Sequence, residues 1–198
     1  HMGPHDGTAL YDQGMTALGG PGRLLVAAAG NEGEALMHLS AIVDGEGGPA
    51  FLIPQTDTPG FMVDGWAEAN SPMTLQLAVF NSTGDVLFTS PAVQPGILWE
   101  GSWSGLAMGI DQQETNNPQN GDRHFQIHAD GDVYTNYIYG VSFAAQGVAQ
   151  ADFHAWELTD GATVFTDEVE GAIPGDNLYT VGSPAVAQGV LAVAAHNT

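Results

Sequence analysis

The sequence predicts a mostly β protein: a jelly-roll-type antiparallel β-sandwich inserted into a partial α/β scaffold that the two chain ends form together. Three observations predict it. Across residues 34–178, short runs alternate apolar and polar side chains with period 2, and turns rich in Gly, Asn and Asp separate them. Near each end stands one short, wholly apolar run, Leu-Leu-Val-Ala-Ala-Ala at 24–29 and Val-Leu-Ala-Val-Ala-Ala at 190–195. Runs that do not alternate fit strands covered on both faces, as neighbours in a parallel sheet are.

In residues 1–33, Tyr11, Met15 and Leu18 recur at i, i+4 and i+7, which is one face of a helix. Asp6 or Thr8 is placed to cap it, because a side-chain oxygen there accepts from a free backbone N–H. Gly19-Gly20-Pro21-Gly22 stops it, and the strand 24–29 then runs into Gly30-Asn31-Glu32-Gly33. In residues 34–178, Leu75, Leu77 and Val79 share a face, and Asn81-Ser82-Thr83-Gly84-Asp85 turns the chain into Val86-Leu87-Phe88. Phe125 and Ile127 point one way, and His124, Gln126 and His128 the other. Tyr137 to Phe143 supplies more strand, and Phe153 to Leu158 is expected to pair with Thr163-Val164-Phe165 through Asp160-Gly161. About eight strands result, enough for two packed sheets. In residues 179–198, Ser183-Pro184-Ala185-Val186-Ala187 is expected to start a short helix with Pro at its first position, and Gly189 to end it before the strand 190–195.

Charge and composition restrict the function. The 198 residues hold 23 acidic side chains, two Arg (Arg23 and Arg123) and no Lys or Cys, for a formal charge of -21. Such a chain offers no electrostatic footprint to nucleic acid or to an anionic membrane. It has no thiolate nucleophile, disulfide or Cys-type metal site. With 43% hydrophobic residues it has the material for a core. No apolar run approaches the roughly 18 residues that cross a bilayer. Acidity without Lys points to a secreted or extracellular protein, with high salt a further setting that fits. Residues 1–33 contribute only Asp6, Asp12 and Glu32 and residues 179–198 no acidic side chain, so the acidity belongs to the sandwich.

The segment Ala27-Ala28-Ala29-Gly30-Asn31-Glu32-Gly33 is the foremost candidate for chemistry. Sites in open α/β sheets form beyond the carboxyl ends of strands, and Asn31 would present an amide there between two glycines. A simple turn after a strand accounts for the same residues. Other groups are weaker. His124 and His128 share a strand face but stand about 13 Å apart, too far for one metal ion. His38 and His154 are isolated in sequence and read as structural. Asp130-Gly131-Asp132 and Asp44-Gly45-Glu46 are acidic turns where calcium is conceivable, although neither fits the twelve-residue calcium loop; no other cofactor is implied. Trp99 and Trp103, four apart, share a strand face and are candidates for a sugar-stacking platform or for core packing.

Residues 22–33, Gly-Arg-Leu-Leu-Val-Ala-Ala-Ala-Gly-Asn-Glu-Gly, resemble the oxyanion-hole segment of subtilisin-like serine proteases (subtilases). His5-Asp6-Gly7-Thr8 with its helix, and Val181-Gly182-Ser183-Pro184-Ala185 with 190–195, resemble two further stretches of that family, in family order. The resemblance implies that Asn31 is the oxyanion-hole side chain, that Ala28, Ala29, Gly30 and Gly33 line a substrate pocket, and that Glu32 lies near its mouth. It implies a secreted serine endopeptidase, acting on peptide or protein substrates, as the parent. The chain departs from the family in having no Gly-Thr-Ser and no Asp and His motifs upstream of Asn31. A triad needs all three residues in one geometry. The expectation is therefore a fragment inactive by itself, whose apolar scaffold strands favour self-association. The alternatives are a non-catalytic jelly-roll module binding carbohydrate or protein, and a subtilase that has lost its triad.

Overall fold

The protein is described by a computed structural model that covers residues 3–30, 34–159 and 161–194. One helix, α1 (Leu10–Leu18), and a strand, β1 (Leu25–Ala28), come first. There follow β2 (His38–Val43), β3 (Gly48–Pro54), β4 (Thr58–Ala67), β5 (Met73–Asn81), β6 (Val86–Thr89) and β7 (Leu98–Trp103). Next are β8 (Leu106–Gln112), β9 (Arg123–Val133), β10 (Tyr137–Ala145), β11 (Ala151–Glu157), β12 (Thr163–Phe165) and β13 (Val190–Val193).

Two antiparallel sheets dominate. One is ordered β12-β3-β10-β5-β6 and the other β2-β11-β4-β9-β8-β7. Successive strands β2, β3 and β4 change sheet at each step, and their partners β11, β10 and β9 do the same in reverse. The pairs thus behave as one long ribbon folded across both sheets, which is the wrap of jelly-roll sandwiches. The inner faces carry the alternating apolar residues: Leu75, Leu77 and Val79 of β5, Phe125 and Ile127 of β9, and Val141 and Phe143 of β10 are all buried. Phe143 and Phe153 stack across the two sheets with ring centroids 4.4 Å apart.

Several expectations are corrected. The two sheets hold five and six strands, more than the eight expected, because β2, β3, β4, β7 and β8 were not read individually from sequence. β11 and β12 do not form a hairpin: β11 lies between β2 and β4, while β12 joins β3 in the other sheet. A turn signal bends the chain but does not choose the next partner. Residues 184–187 form turns and not a helix.

The chain ends do meet. β1 and β13 pair in parallel, Leu25 opposite Val190 and Ala28 opposite Val193, as a separate two-stranded sheet. The expected double-sided burial is absent. Leu24, Val26, Leu191 and Val193 are more than half exposed, and so are Tyr11 and Leu18 on the predicted apolar face of α1. An apolar run reports which faces suit burial; a two-stranded sheet simply lacks the layers that would cover them. The one buried residue of α1 is Asp12, whose Oδ2 accepts from Ser183 Oγ at 2.6 Å. No side chain caps α1; Ala9 occupies the cap position, and Asp6 Oδ1 instead accepts from Thr8 N and Oγ1.

Candidate functional site

The outer face of the six-stranded sheet bears its unusual chemistry. Strand alternation sends Leu39, Phe153, Val63 and Phe125 into the core and turns His38, His154, Trp156, Asp64, Trp66, His124 and Gln126 outward. The register sets these in two rows. His38 lies opposite Trp156, Trp156 opposite Asp64 and Asp64 opposite Gln126, while His154 lies opposite Trp66 and Trp66 opposite His124. Cross-strand neighbours at such spacing touch directly.

Two flanking segments close over these rows. His5 stacks on Trp156 with centroids 4.3 Å apart and planes 9° apart. His5 Nδ1 is 3.0 Å from the Tyr179 carbonyl oxygen and 3.2 Å from that of Val181, so it donates to the 179–181 segment. Trp156 Nε1 donates to the same Tyr179 carbonyl at 3.0 Å. Both His5 and Tyr179 hold left-handed backbone (φ 54° and 52°), uncommon for residues with a side chain and seen where surrounding contacts over-determine it. Gly3 N donates to Asp64 Oδ2 at 3.0 Å and anchors the start of this segment.

Asp64 is the electrostatic hub. It is buried, and its oxygens accept from His124 Nε2 at 2.6 Å, Gly3 N, Gln126 Nε2 and Trp66 Nε1. Burial pushes its carboxyl up, but the bonds from His124, Gly3 and Gln126, with the charge of His124, together outweigh it and hold the group below the usual carboxylate range. A second chain runs through fully buried His38. Its Nδ1 is 2.6 Å from Asp176 Oδ1, and its Nε2 is 3.0 Å from His154 Nδ1. Burial pulls the His38 imidazole below its ordinary value, more than the hydrogen bond to Asp176 raises it. Neutral His38 then donates from Nδ1 to Asp176 and accepts at Nε2 from His154 Nδ1. The pair read as isolated in sequence is thus hydrogen-bonded across 116 residues.

A cavity of about 330 Å³ opens beside these rows, lined by Pro4, His5, Asp6, Trp66, Glu68, Ala69, Asp122, His154, Trp156 and Tyr179. Burial, and then the negative charges of Asp6 and Glu68, raise the carboxyl of Asp122 above its ordinary value. Nothing in local sequence marks this cavity. The only signal was the outward alternation of His124 and Gln126, one strand away.

The residues proposed from sequence lie elsewhere. Ala28 ends β1, and Ala29 N donates to Val193 O at 2.9 Å, so the segment leaves the sheet where expected. Gly30 has φ 102°, open to glycine and hostile to other residues. Asn31, Glu32 and Gly33 lie outside the described residues. Ala28, Ala29 and Gly30 do not line the aromatic cavity. Of the two readings of Trp99 and Trp103, core packing holds: both share a face, as read, and pack against the core, Trp99 against Phe88 and Trp103 edge-on to Tyr137. Among the described residues no group of three or more His, Cys, Asp or Glu is placed to hold a metal ion. In the turns considered for calcium, Asp44 Oδ1 accepts from Glu46 N and Gly47 N, and Asp132 Oδ2 accepts from Tyr134 Oη.

No protein-family model matches the sequence, and no curated protein matches it. Among solved structures, the Clostridium perfringens CspB protease matches 98% of this chain, with a TM-score of 0.76 and 18% identity. The chain spans 39% of that protease's length. The likeness is one of fold alone. The resemblance to subtilisin-like serine proteases read from residues 22–33 therefore has no support in the sequence comparisons, and membership of that family is withdrawn. Short strings of small residues around a glycine recur wherever an apolar strand turns, so three such stretches do not by themselves show the family.

Proposed function

We propose that this chain is a part of a secreted serine endopeptidase that lacks the catalytic triad and contributes structure and one transition-state contact to a larger polypeptide. The observation that carries the reading is the match of fold over 98% of the chain to a part, 39%, of a known protease. Its division follows the sequence: residues 1–33 and 179–198 belong to the peptidase scaffold, and 34–178 to a sandwich inserted in it. The exposed apolar residues of α1, β1 and β13 support this, since Leu24, Val26, Leu191 and Val193 present the surface that adjoining scaffold would cover.

In this reading Asn31, beyond the end of β1, donates its amide N–H to the oxygen of a peptide carbonyl as a serine elsewhere in the polypeptide attacks. An N–H held near 3 Å from that oxygen favours the charged transition state over the neutral ground state. Ala28, Ala29, Gly30 and Gly33 would flank the substrate, with Glu32 at the pocket mouth. The chain alone would then be inert.

Casein and a peptide ester, offered separately to the 198-residue chain and to the complete polypeptide that contains it, test this. Hydrolysis by the complete polypeptide alone is the expected result. Hydrolysis by the isolated chain, blocked by a serine-directed inhibitor, would overturn the assignment, as would a complete polypeptide that cleaves neither.

A further inference from the structure

We propose that the cavity beneath His5 is a receptor for a guanidinium group, the side chain of an arginine presented by a partner peptide. This inference does not depend on the peptidase reading. It follows from the inventory of hydrogen-bonding groups around the cavity. The two indole N–H groups of its walls are already committed, Trp66 Nε1 to Asp64 and Trp156 Nε1 to the Tyr179 carbonyl. His5 Nδ1 is turned to the backbone carbonyls of Tyr179 and Val181. What remains is dominated by acceptors, the carboxylates of Asp6, Glu68 and Asp122. The Tyr179 hydroxyl both donates and accepts. A site rich in acceptors and negative charge calls for a ligand rich in donors and positive charge.

Two further observations narrow the ligand. Asn120 Nδ2 stands 3.1 Å from Asp122 Oδ2 and 3.5 Å from Asp6 Oδ2, so a neutral amide bridges two carboxylates at the rim. A neutral donor there adds no positive charge between them and Glu68, and burial first, then the charges of Asp6 and Glu68, raise Asp122. The walls, Trp66, Trp156, His154 and Tyr179, are aromatic, and planar guanidinium stacks on such faces while sending five N–H groups outward. The volume of about 330 Å³ lies at the small end of ligand pockets, which run from roughly 300 Å³.

Neither Lys nor Arg of this chain supplies the cation. The chain has no Lys and only two Arg. Arg23 Nη2 donates to Gly19 O, and Arg123, next to Asp122, donates from Nη2 to Asn116 Oδ1 at 3.4 Å; neither lines the cavity.

The test is a titration of the ¹⁵N-labelled 198-residue chain with Nα-acetyl-arginine amide, following the four Trp indole N–H resonances. The indoles of Trp66 and Trp156 should shift saturably, while those of Trp99 and Trp103 stay fixed and report an intact fold. The neutral citrulline analogue should not bind, and the lysine analogue should bind more weakly than arginine. Glu68→Gln and Asp122→Asn should each weaken binding about tenfold, and added salt should weaken it further. Equal binding of the citrulline analogue, no shift at tens of millimolar arginine amide, or affinity within twofold of wild type in both variants would overturn the proposal. Equal binding of the lysine analogue would overturn its guanidinium preference.

Discussion

Replacing Asp64 with Ala should strike the sandwich and its N-terminal cover together. The carboxylate is 1% exposed and accepts four hydrogen bonds, the shortest from His124 Nε2 at 2.6 Å and Gly3 N at 3.0 Å. Hydrogen bonds to a charged group are worth about 1.5–3 kcal/mol each, and removing one partner of a buried pair costs about 3–5 kcal/mol. The bonds from Gln126 and Trp66, at 3.3 Å, are longer and partly replaceable by water, so about 3–5 kcal/mol is the whole expected loss. For a chain of this size 1 kcal/mol moves Tm by roughly 2–4 °C, so Tm should fall on the order of 10 °C at pH 7. The sign of the pH dependence follows from the depressed carboxyl of Asp64. Its contribution is fully present above the unfolded carboxylate value, about 4, and is lost as pH falls through the lower folded value. Thermal circular dichroism of wild type and Asp64→Ala should show a constant gap in Tm from about pH 5 to 7 that closes on further acidification. A gap under about 2 °C at pH 7, or one that widens in acid, would refute the reasoning.

Two other outcomes are expected. His38 and His5 both lie below the ordinary His value, chiefly through burial, so the unfolded chain binds more protons and stability falls as pH drops below about 6.5. The urea midpoint should therefore decrease from about pH 7.5 to pH 5.5, and by less in His38→Gln; an equal decrease in both proteins would remove His38 as a cause. The exposed β1–β13 sheet should drive self-association of the isolated chain. Val26→Lys with Leu191→Lys should shift sedimentation toward monomer, and wild type that is monomeric at high concentration would contradict this.

The sandwich was legible where a strand alternates cleanly. Leu75, Leu77 and Val79 declare an inner face without help from the rest of the chain, and the opposite facing of Phe125 and His124 declares which side of β9 meets the core. Pairing was less legible, because a strand's partner is chosen by long-range packing. Thr163 to Phe165 has a turn before it and an apolar face, yet it joins β3, more than a hundred residues earlier. The cavity was invisible for the same reason: His38 and His154 meet only through the register of β2 against β11. At the chain ends the parallel pairing of β1 with β13 was readable from their matching apolar character, but their exposure was not. Composition shows which faces suit burial; the layer that would bury them is a separate matter.

The central claim, that this chain supplies a transition-state contact to a peptidase, is tested most directly at Asn31. Steady-state hydrolysis of a peptide ester should be measured for the complete polypeptide and its Asn31→Ala variant. Loss of one oxyanion donor lowers kcat by about 10²–10³ with little change in KM, a range established on subtilisin and not on this protein. A kcat within about twofold of wild type, or a loss confined to KM, would contradict the assignment.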